Sequence, residues 1–150
     1  MGMGLEYKCR SCGKRYQIYP GMGMLYPHVY QELLLEIKDG KHGKERQRVC
    51  LETPQVAINA QNVVFLCKEC GKWRAGKDLT LYAPDDLKNQ EDENHIPYDI
   101  SKGYHVVLEY VKKCGKCREP MKIATDEEMQ HLSCPKCGEP NEPRGYIMWD

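Results

Sequence analysis

The pattern of hydrophobic and polar positions predicts three helical segments. Apolar residues recur near helical spacing between positions 28 and 38; they are Val29, Leu33, Leu34 and Ile37. Gly40 follows this segment and supplies a stop signal. Residues 44–52 predict a second, shorter helix that ends before Pro54. Residues 126–131 predict one or two further helical turns.

Short apolar and β-branched runs predict strands on both sides of turns that contain cysteine. The predicted strands are residues 5–8, 14–19, 62–66, 78–82, 104–111, 121–124 and 145–149. A unit of strand, cysteine turn and strand therefore repeats along the chain. Residues 83–103 are polar and acidic, with the run Asn-Gln-Glu-Asp-Glu-Asn at 89–94, and they predict a linker or a long exposed loop.

These elements predict an α+β protein of two small modules built from short antiparallel strands. The first module is expected at residues 1–82, with a helical insertion at about 20–60. The second module is expected at residues 104–150, after the linker at 83–103. The chain has 150 residues, of which 41% are hydrophobic, so each module would have a modest core. Domains of that size usually need disulfides or metals to stay folded.

Eight of the nine cysteines form four Cys-x-x-Cys pairs. In chain order the pairs are Cys9/Cys12, Cys67/Cys70, Cys114/Cys117 and Cys134/Cys137. Two thiolates three positions apart on a tight turn can point at one tetrahedral ion, and two such turns complete the four-sulfur shell that Zn²⁺ favours. The sequence therefore predicts two Zn²⁺ ions. A shell closed by four sulfurs has no open coordination position, which favours a binding module over a metalloenzyme.

Four pairs can be matched to two ions in three ways. The third and fourth pairs are separated by 16 residues, which is within the usual spacing of a four-cysteine zinc site. Elimination then predicts that Cys9, Cys12, Cys67 and Cys70 form site 1, whereas Cys114, Cys117, Cys134 and Cys137 form site 2. The alternative is an interleaved arrangement, in which the first pair would meet the third across the acidic stretch.

Disulfides are the other interpretation of a cysteine-rich chain. The odd cysteine count fits a disulfide framework poorly, and no apolar run precedes the first charged residues, so no signal peptide is expected. No stretch approaches 18 consecutive apolar residues, which predicts the absence of a spanning helix. We therefore expect a reduced, cytoplasmic protein that holds metal.

The cysteine turns resemble those of the zinc-ribbon group, in which two turns on short hairpins hold one zinc ion. The segment Cys-Pro-Lys-Cys-Gly at 134–138 is also similar to a rubredoxin knuckle. The resemblance covers both cysteine regions, but not the helical insertion or the linker. It implies a ribbon fold and bound metal, with iron as the alternative to zinc. Contacts with proteins and nucleic acids are common among ribbons, so it also implies partners of these two classes.

Charge provides a weak argument about the partner. The net charge is zero, but residues 1–49 carry nine Lys and Arg against five Asp and Glu, whereas residues 50–100 carry five against nine. The segment 38–48 contains five Lys and Arg against two acidic residues, and its candidate contacts to phosphate are Lys41, Lys44, Arg46 and Arg48. The alternative is that these basic side chains form an ordinary solvent-exposed surface that binds no partner.

Several residues outside the cysteine pairs have a structural and a functional interpretation. Cys50 belongs to no pair, and we expect a buried apolar side chain rather than a reactive thiol. Six tyrosines are expected around the first site, where they would cover the metal with their hydroxyl groups in water, or stack on bases; they are Tyr7, Tyr16, Tyr19, Tyr26, Tyr30 and Tyr82. Trp73 is expected to cover the metal in the same way.

The sequence shows no pattern of a catalytic site. The five histidines are scattered, and neither a phosphate-binding glycine loop nor a nucleophile motif is present. We therefore expect a zinc-stabilised recognition or adaptor protein that is not an enzyme. Its expected partner is another protein, with a nucleic acid as the second class. The alternative is a redox protein, either a rubredoxin-like iron carrier or a zinc-thiolate switch.

Overall fold

The structure is a computed structural model that describes residues 2–87 and 96–149. Its strands are β1 (Gly2–Lys8), β2 (Arg15–Ile18), β3 (Ala57–Leu66), β4 (Trp73–Pro84), β5 (Tyr104–Leu108), β6 (Lys122–Ile123) and β7 (Gly145–Trp149). Its helices are α1 (Tyr26–Lys38), α2 (Lys44–Glu52) and α3 (Asp126–Met129). The combination of helices with antiparallel sheets confirms the predicted α+β class.

The predicted helices are present, and α2 has the predicted bounds. Helix α1 begins at Tyr26 instead of residue 28, with Pro27 in its first turn, where the missing N–H of proline costs nothing. After Asp39, Gly40 adopts a positive φ of 84°, as a helix stop requires. Helix α3 is capped by Thr125, whose hydroxyl accepts from the backbone N–H of Glu128.

The chain forms two compact units that do not follow the predicted linear boundaries. Unit 1 contains residues 1–24, 61–77 and 111–150, and unit 2 contains residues 25–60 and 78–110. The predicted helical insertion at 20–60 therefore contributes the first part of unit 2. The other part includes β5, which the sequence analysis placed in the C-terminal module. The reason is that β4 extends to Pro84 and pairs antiparallel with β5.

Unit 1 contains a three-stranded antiparallel sheet in the order β2-β1-β7. The second sheet has the order β5-β4-β3-β6. Its pairing of β3 with β6 lies within unit 1 and joins Phe65 to Ile123 and Leu66 to Lys122. The core beneath these strands is small and includes sulfur. Its buried residues are Leu5, Tyr7, Cys9, Tyr16, Ile18, Val64, Ala124, Met129, Leu132 and Cys134.

Unit 2 packs α1 against the first half of β3. The hydroxyl groups of Tyr26 and Tyr30 accept from the backbone N–H groups of Ala60 and Ile58, at 3.2 Å and 3.3 Å. Because these tyrosines are one helical turn apart, both reach the same strand. This packing explains why β3 begins at Ala57, five residues before the predicted strand. The acidic run at 89–94, in the centre of the predicted linker, lies outside the described residues.

Candidate metal centres

All four cysteine turns have the same backbone hydrogen bonds. In the first turn the N–H of Cys9 donates to Lys14 O at 2.8 Å, and the N–H of Gly13 donates to Cys9 O at 3.0 Å. Equivalent bonds, between 2.8 and 2.9 Å, occur in the turns that begin at Cys67, Cys114 and Cys134. Each Cys-x-x-Cys pair is therefore a rigid knuckle with both sulfurs on one side.

The residue after the second cysteine explains the glycines in this motif. Gly13, Gly71 and Gly138 adopt φ values of 76°, 74° and 82°, in the left-handed region that glycine occupies without steric cost. The third knuckle has Arg118 at this position, with a φ of 59°. In every knuckle the positive φ therefore belongs to the position after the second cysteine, whichever residue occupies it.

The structure brings the cysteine pairs together in a nested order. The outer site consists of the first and fourth pairs, and the inner site consists of the second and third pairs. Within each group the four sulfurs lie within 4.8 Å of one another. The predicted pairing of first with second and third with fourth is therefore wrong, and the interleaved alternative is not observed either.

Strand pairing is the physical reason for the nested order. Strand β1 leads into the first knuckle and pairs with β7, which follows the fourth knuckle. Strand β3 leads into the second knuckle and pairs with β6, which follows the third. In each site the strand before one knuckle therefore pairs with the strand after the other knuckle. This pairing brings the two knuckles together, whatever the length of the chain between them.

The distances between sulfurs match a single tetrahedral ion. In the outer site Cys9 Sγ lies 3.4 Å from Cys137 Sγ, and Cys12 Sγ lies 3.5 Å from Cys134 Sγ. In the inner site the corresponding cross-knuckle distances are 3.2 Å and 3.6 Å. A metal–sulfur bond of about 2.3 Å gives sulfurs about 3.8 Å apart in a tetrahedron. Both groups therefore fit a metal ion, and each would be closed by four sulfurs.

The thiols of each site divide into easily and poorly ionised members. The backbone N–H of Cys12 lowers the pKa of Cys9 to about 6, and that of Cys117 lowers the pKa of Cys114 to about 6. The side chain of Cys67 raises the pKa of Cys117 to about 12. Because like charges at these distances oppose one another, the sulfur of Cys117 becomes a thiolate at neutral pH only when a cation is bound.

Asn141 connects the two knuckles of the outer site. Its Oδ1 accepts from the backbone N–H of Arg10 at 3.2 Å, and its Nδ2 donates to Glu139 O at 2.9 Å and to Tyr16 Oη at 3.3 Å. The side chain is buried, so these bonds replace those that water would have made. Sequence reasoning missed this residue because its partner Arg10 lies 131 positions away.

A second set of hydrogen bonds connects the inner site to the outer site within unit 1. Trp73 Nε1 donates to Ser133 O at 2.7 Å, and Ser133 Oγ donates to Gly71 O at 2.9 Å. Gly71 and Trp73 follow the second knuckle, whereas Ser133 precedes the fourth. The sequence analysis expects Trp73 to cover a metal ion. In the structure its ring packs on the core of unit 1, and its N–H links the second knuckle to the residue before the fourth.

The six tyrosines do not surround one site. Tyr7 and Tyr16 are stacked in the core of unit 1, with ring centroids 4.7 Å apart, and their hydroxyl groups donate to Met129 O and Leu132 O. These hydroxyl groups are therefore not in water, contrary to the expectation. Tyr26, Tyr30 and Tyr82 belong to unit 2, and Tyr19 is exposed on unit 1.

The predicted phosphate contacts lie in unit 2, and two of the four have partners within the protein. Arg46 donates to Leu79 O and lies 5.3 Å from the ring centre of Tyr110, and its partial burial lowers its pKa. Arg48 pairs with Glu52 at 3.1 Å. Lys41 and Lys44 are exposed. Arg46 therefore makes its contacts within unit 2, and Glu52 offsets the charge of Arg48.

Cys50 is buried, with 2% of its surface exposed, and burial raises the pKa of its thiol. This confirms the interpretation as a core residue.

Within the described ranges, no helix has the length and apolar content needed to cross a bilayer.

Comparisons of the chain with protein-family models, with curated proteins and with solved structures found no match.

Proposed function

We propose that this chain is a zinc-stabilised recognition or adaptor protein that binds another protein in a reducing compartment such as the cytoplasm. The observation that carries the proposal is the closure of both candidate metal centres. Each group presents four cysteine sulfurs to one ion, so the ion would have no free position for a substrate or a water molecule. An ion held in this way stabilises a fold, and the protein's surface performs the function.

Zinc is the metal that we propose for both sites. Four thiolates in a tetrahedron suit Zn²⁺, and small units such as unit 1 commonly depend on structural zinc for folding. Metal analysis of protein purified under reducing conditions should find two zinc ions per chain. A value near one or zero would contradict the two-site proposal.

A protein partner is favoured over a nucleic acid by the state of the basic segment. Arg46 and Arg48 already have partners inside unit 2; Arg48 is exposed like Lys41 and Lys44, but Glu52 offsets its charge. Two lysines give a weak, strongly salt-dependent affinity for phosphate. Large apolar side chains are exposed on unit 2 as well, among them Leu35 on α1 and Leu51 on α2.

A capture experiment with the metal-loaded chain tests the proposed function. The tagged protein is used as bait at several salt concentrations, and both protein and nucleic acid in the captured material are measured. We expect a specific protein whose capture survives moderate salt and is lost when the metal is removed by a chelator. Recovery of nucleic acid, with capture falling steeply as salt increases, would contradict the choice of a protein partner. A Lys41→Ala, Lys44→Ala double variant is the matched control for phosphate contacts.

A redox function is the second proposal, and the exposure of two outer-site cysteines favours it. Cys12 and Cys137 are exposed, so an oxidant or an electron-transfer partner could reach their sulfurs. An iron-loaded site would absorb visible light and be reducible, whereas a zinc site is colourless and changes only by thiolate oxidation. Visible absorption of the purified protein, together with metal release on mild oxidation, separates these cases from a purely structural ion.

A further inference from the structure

One face of the three-stranded sheet continues from the buried core to an exposed margin. Side chains alternate between the faces of a strand, so Met3, Leu5 and Tyr7 lie on the same face of β1. The register places Tyr146 opposite Leu5 and Met148 opposite Met3. Leu5 and Tyr7 are buried, whereas Met3, Tyr146 and Met148 are 58%, 64% and 68% exposed. We call these last three residues the apolar margin.

The opposite face of the sheet holds β7 firmly against β1. Trp149 lies over Gly2, where an added Cβ would come within 2.3 Å of the indole, and Tyr19 lies over Gly4 in the same way. The two aromatic rings contact each other edge to face, with centroids 5.9 Å apart. The glycines therefore allow a close fit, and β7 presents a fixed outer edge.

The outer edge of β7 has none of the features that usually prevent strand addition. In the part of the chain that the structure describes, β7 pairs with β1 on one side and is the last strand of its sheet. Its residues Gly145–Trp149 include no proline and no charged side chain, and its register with β1 is unbroken. An exposed apolar edge strand of this kind is a template for pairing with another strand.

The sequence around β7 is complementary to itself in an antiparallel register. When two copies are aligned about Ile147, the five residues of each β7 strand lie opposite the five residues of the other. Tyr146 lies opposite Met148, and a ring–sulfur contact is favourable. A two-fold axis perpendicular to the sheet keeps these side chains on one face, where they extend the apolar margin across both copies.

The same register also allows the side chains on the opposite face of the sheet to fit together. Gly145 of one copy lies opposite Trp149 of the second, which repeats the opposition of Gly2 and Trp149 that the structure shows between β1 and β7. The indole therefore meets a glycine on each side instead of a bulky side chain.

We propose that two copies of this chain associate through antiparallel pairing of their β7 strands about Ile147, which would join the two sheets into one. A contact of one strand is smaller than the roughly 1,600 Å² of a standard interface, so we expect a reversible dimer with a Kd on the order of 10–100 µM. Self-association at β7 does not depend on the proposed adaptor function, because the other exposed surfaces stay free in the dimer.

Sedimentation equilibrium of the full, zinc-loaded, reduced chain tests this proposal. Wild-type protein should pass from monomer to dimer between about 1 µM and 1 mM, as the expected Kd requires. Met148→Lys should weaken the dimer by about tenfold or more, because a charge on the edge strand opposes pairing. Val106→Lys is the matched control, since Val106 is also an exposed apolar residue of an edge strand, β5, and it should leave the dimer unchanged. Zinc content and circular dichroism verify the fold of each variant.

A wild-type chain that stays monomeric to about 1 mM would overturn the proposal. A dimer that is unaffected by Met148→Lys would also overturn it, because the interface would then be different.

Discussion

The nested order of the metal sites predicts which pairs of cysteine substitutions remove one ion and which remove two. Cys12→Ser with Cys137→Ser alters only the outer site, so one ion should remain. Cys12→Ser with Cys70→Ser alters both sites, so no tightly bound ion should remain. Cys12→Ser with Cys117→Ser should also remove both. The three double variants therefore give different patterns for the three pairings, and each carries the same number of substitutions.

The magnitudes indicate that the remaining ion stays bound after the other is lost. A structural zinc contributes about 10–16 kcal/mol, whereas a whole domain is stable by about 5–15 kcal/mol. The sulfurs of Cys70 and Cys114 are 44 residues apart along the chain, and those of Cys12 and Cys134 are 122 apart. Closing the longer loop costs only about 1 kcal/mol more in chain entropy. Either site can therefore hold its ion alone, although unit 1 loses much of its stability.

The assay is a titration of each reduced variant with Cd²⁺, followed by cadmium NMR. The number and shift of the signals report how many four-sulfur sites are occupied. In the variant that lacks the outer site, amide signals near Phe65 and Ile123 should keep their dispersion, because the pairing of β3 with β6 supports the inner site. Signals of β1 and β7 should collapse. The wild-type chain, with two cadmium signals, is the reference.

A four-sulfur site retained by the wrong double variant would refute the nested order. If the Cys12→Ser, Cys70→Ser variant kept one four-sulfur site while the Cys12→Ser, Cys137→Ser variant kept none, the first and second pairs would share an ion. The register of β1 with β7 would then be incompatible with the metal sites.

Five further substitutions test the knuckles and the basic segment. Arg118→Gly should raise zinc affinity by up to about 1 kcal/mol, because it removes a side chain from a left-handed backbone position. Gly138→Ala should lower zinc affinity by about 1 kcal/mol, because it adds a side chain at such a position. Competition with a chelator measures both affinities. Asn141→Ala should cost about 1–3 kcal/mol in urea unfolding, since the buried Tyr16 hydroxyl and one backbone group of each outer knuckle lose their hydrogen bonds to it. An unchanged midpoint would contradict its connecting role. Arg46→Ala should destabilise the protein by about 1 kcal/mol, whereas Lys44→Ala should have an effect below about 0.5 kcal/mol; equal effects would show that the Arg46 contacts contribute nothing.

The sequence alone determined the local features of this protein. The Cys-x-x-Cys spacing and the following glycine specify the knuckle within six residues, so all eight candidate ligands and the positive φ at Gly13, Gly71 and Gly138 could be predicted. Helical spacing and Gly40 likewise predicted α1 to within two residues of its start. These signals are readable because each depends on the backbone preferences and hydrogen bonds of neighbouring residues.

The tertiary structure decided which knuckles meet and how the chain divides. The spacer of 16 residues between the third and fourth pairs favoured one shared ion, but a flexible spacer costs little entropy at any of these lengths. The pairing of Leu5 with Tyr146 and of Phe65 with Ile123 decides the partners instead. The bonds of Asn141 and Ser133 arise from the same pairings. Strands more than 50 residues apart pair because the side chains on their faces pack together in the folded protein. No single segment of the sequence is sufficient to predict that packing.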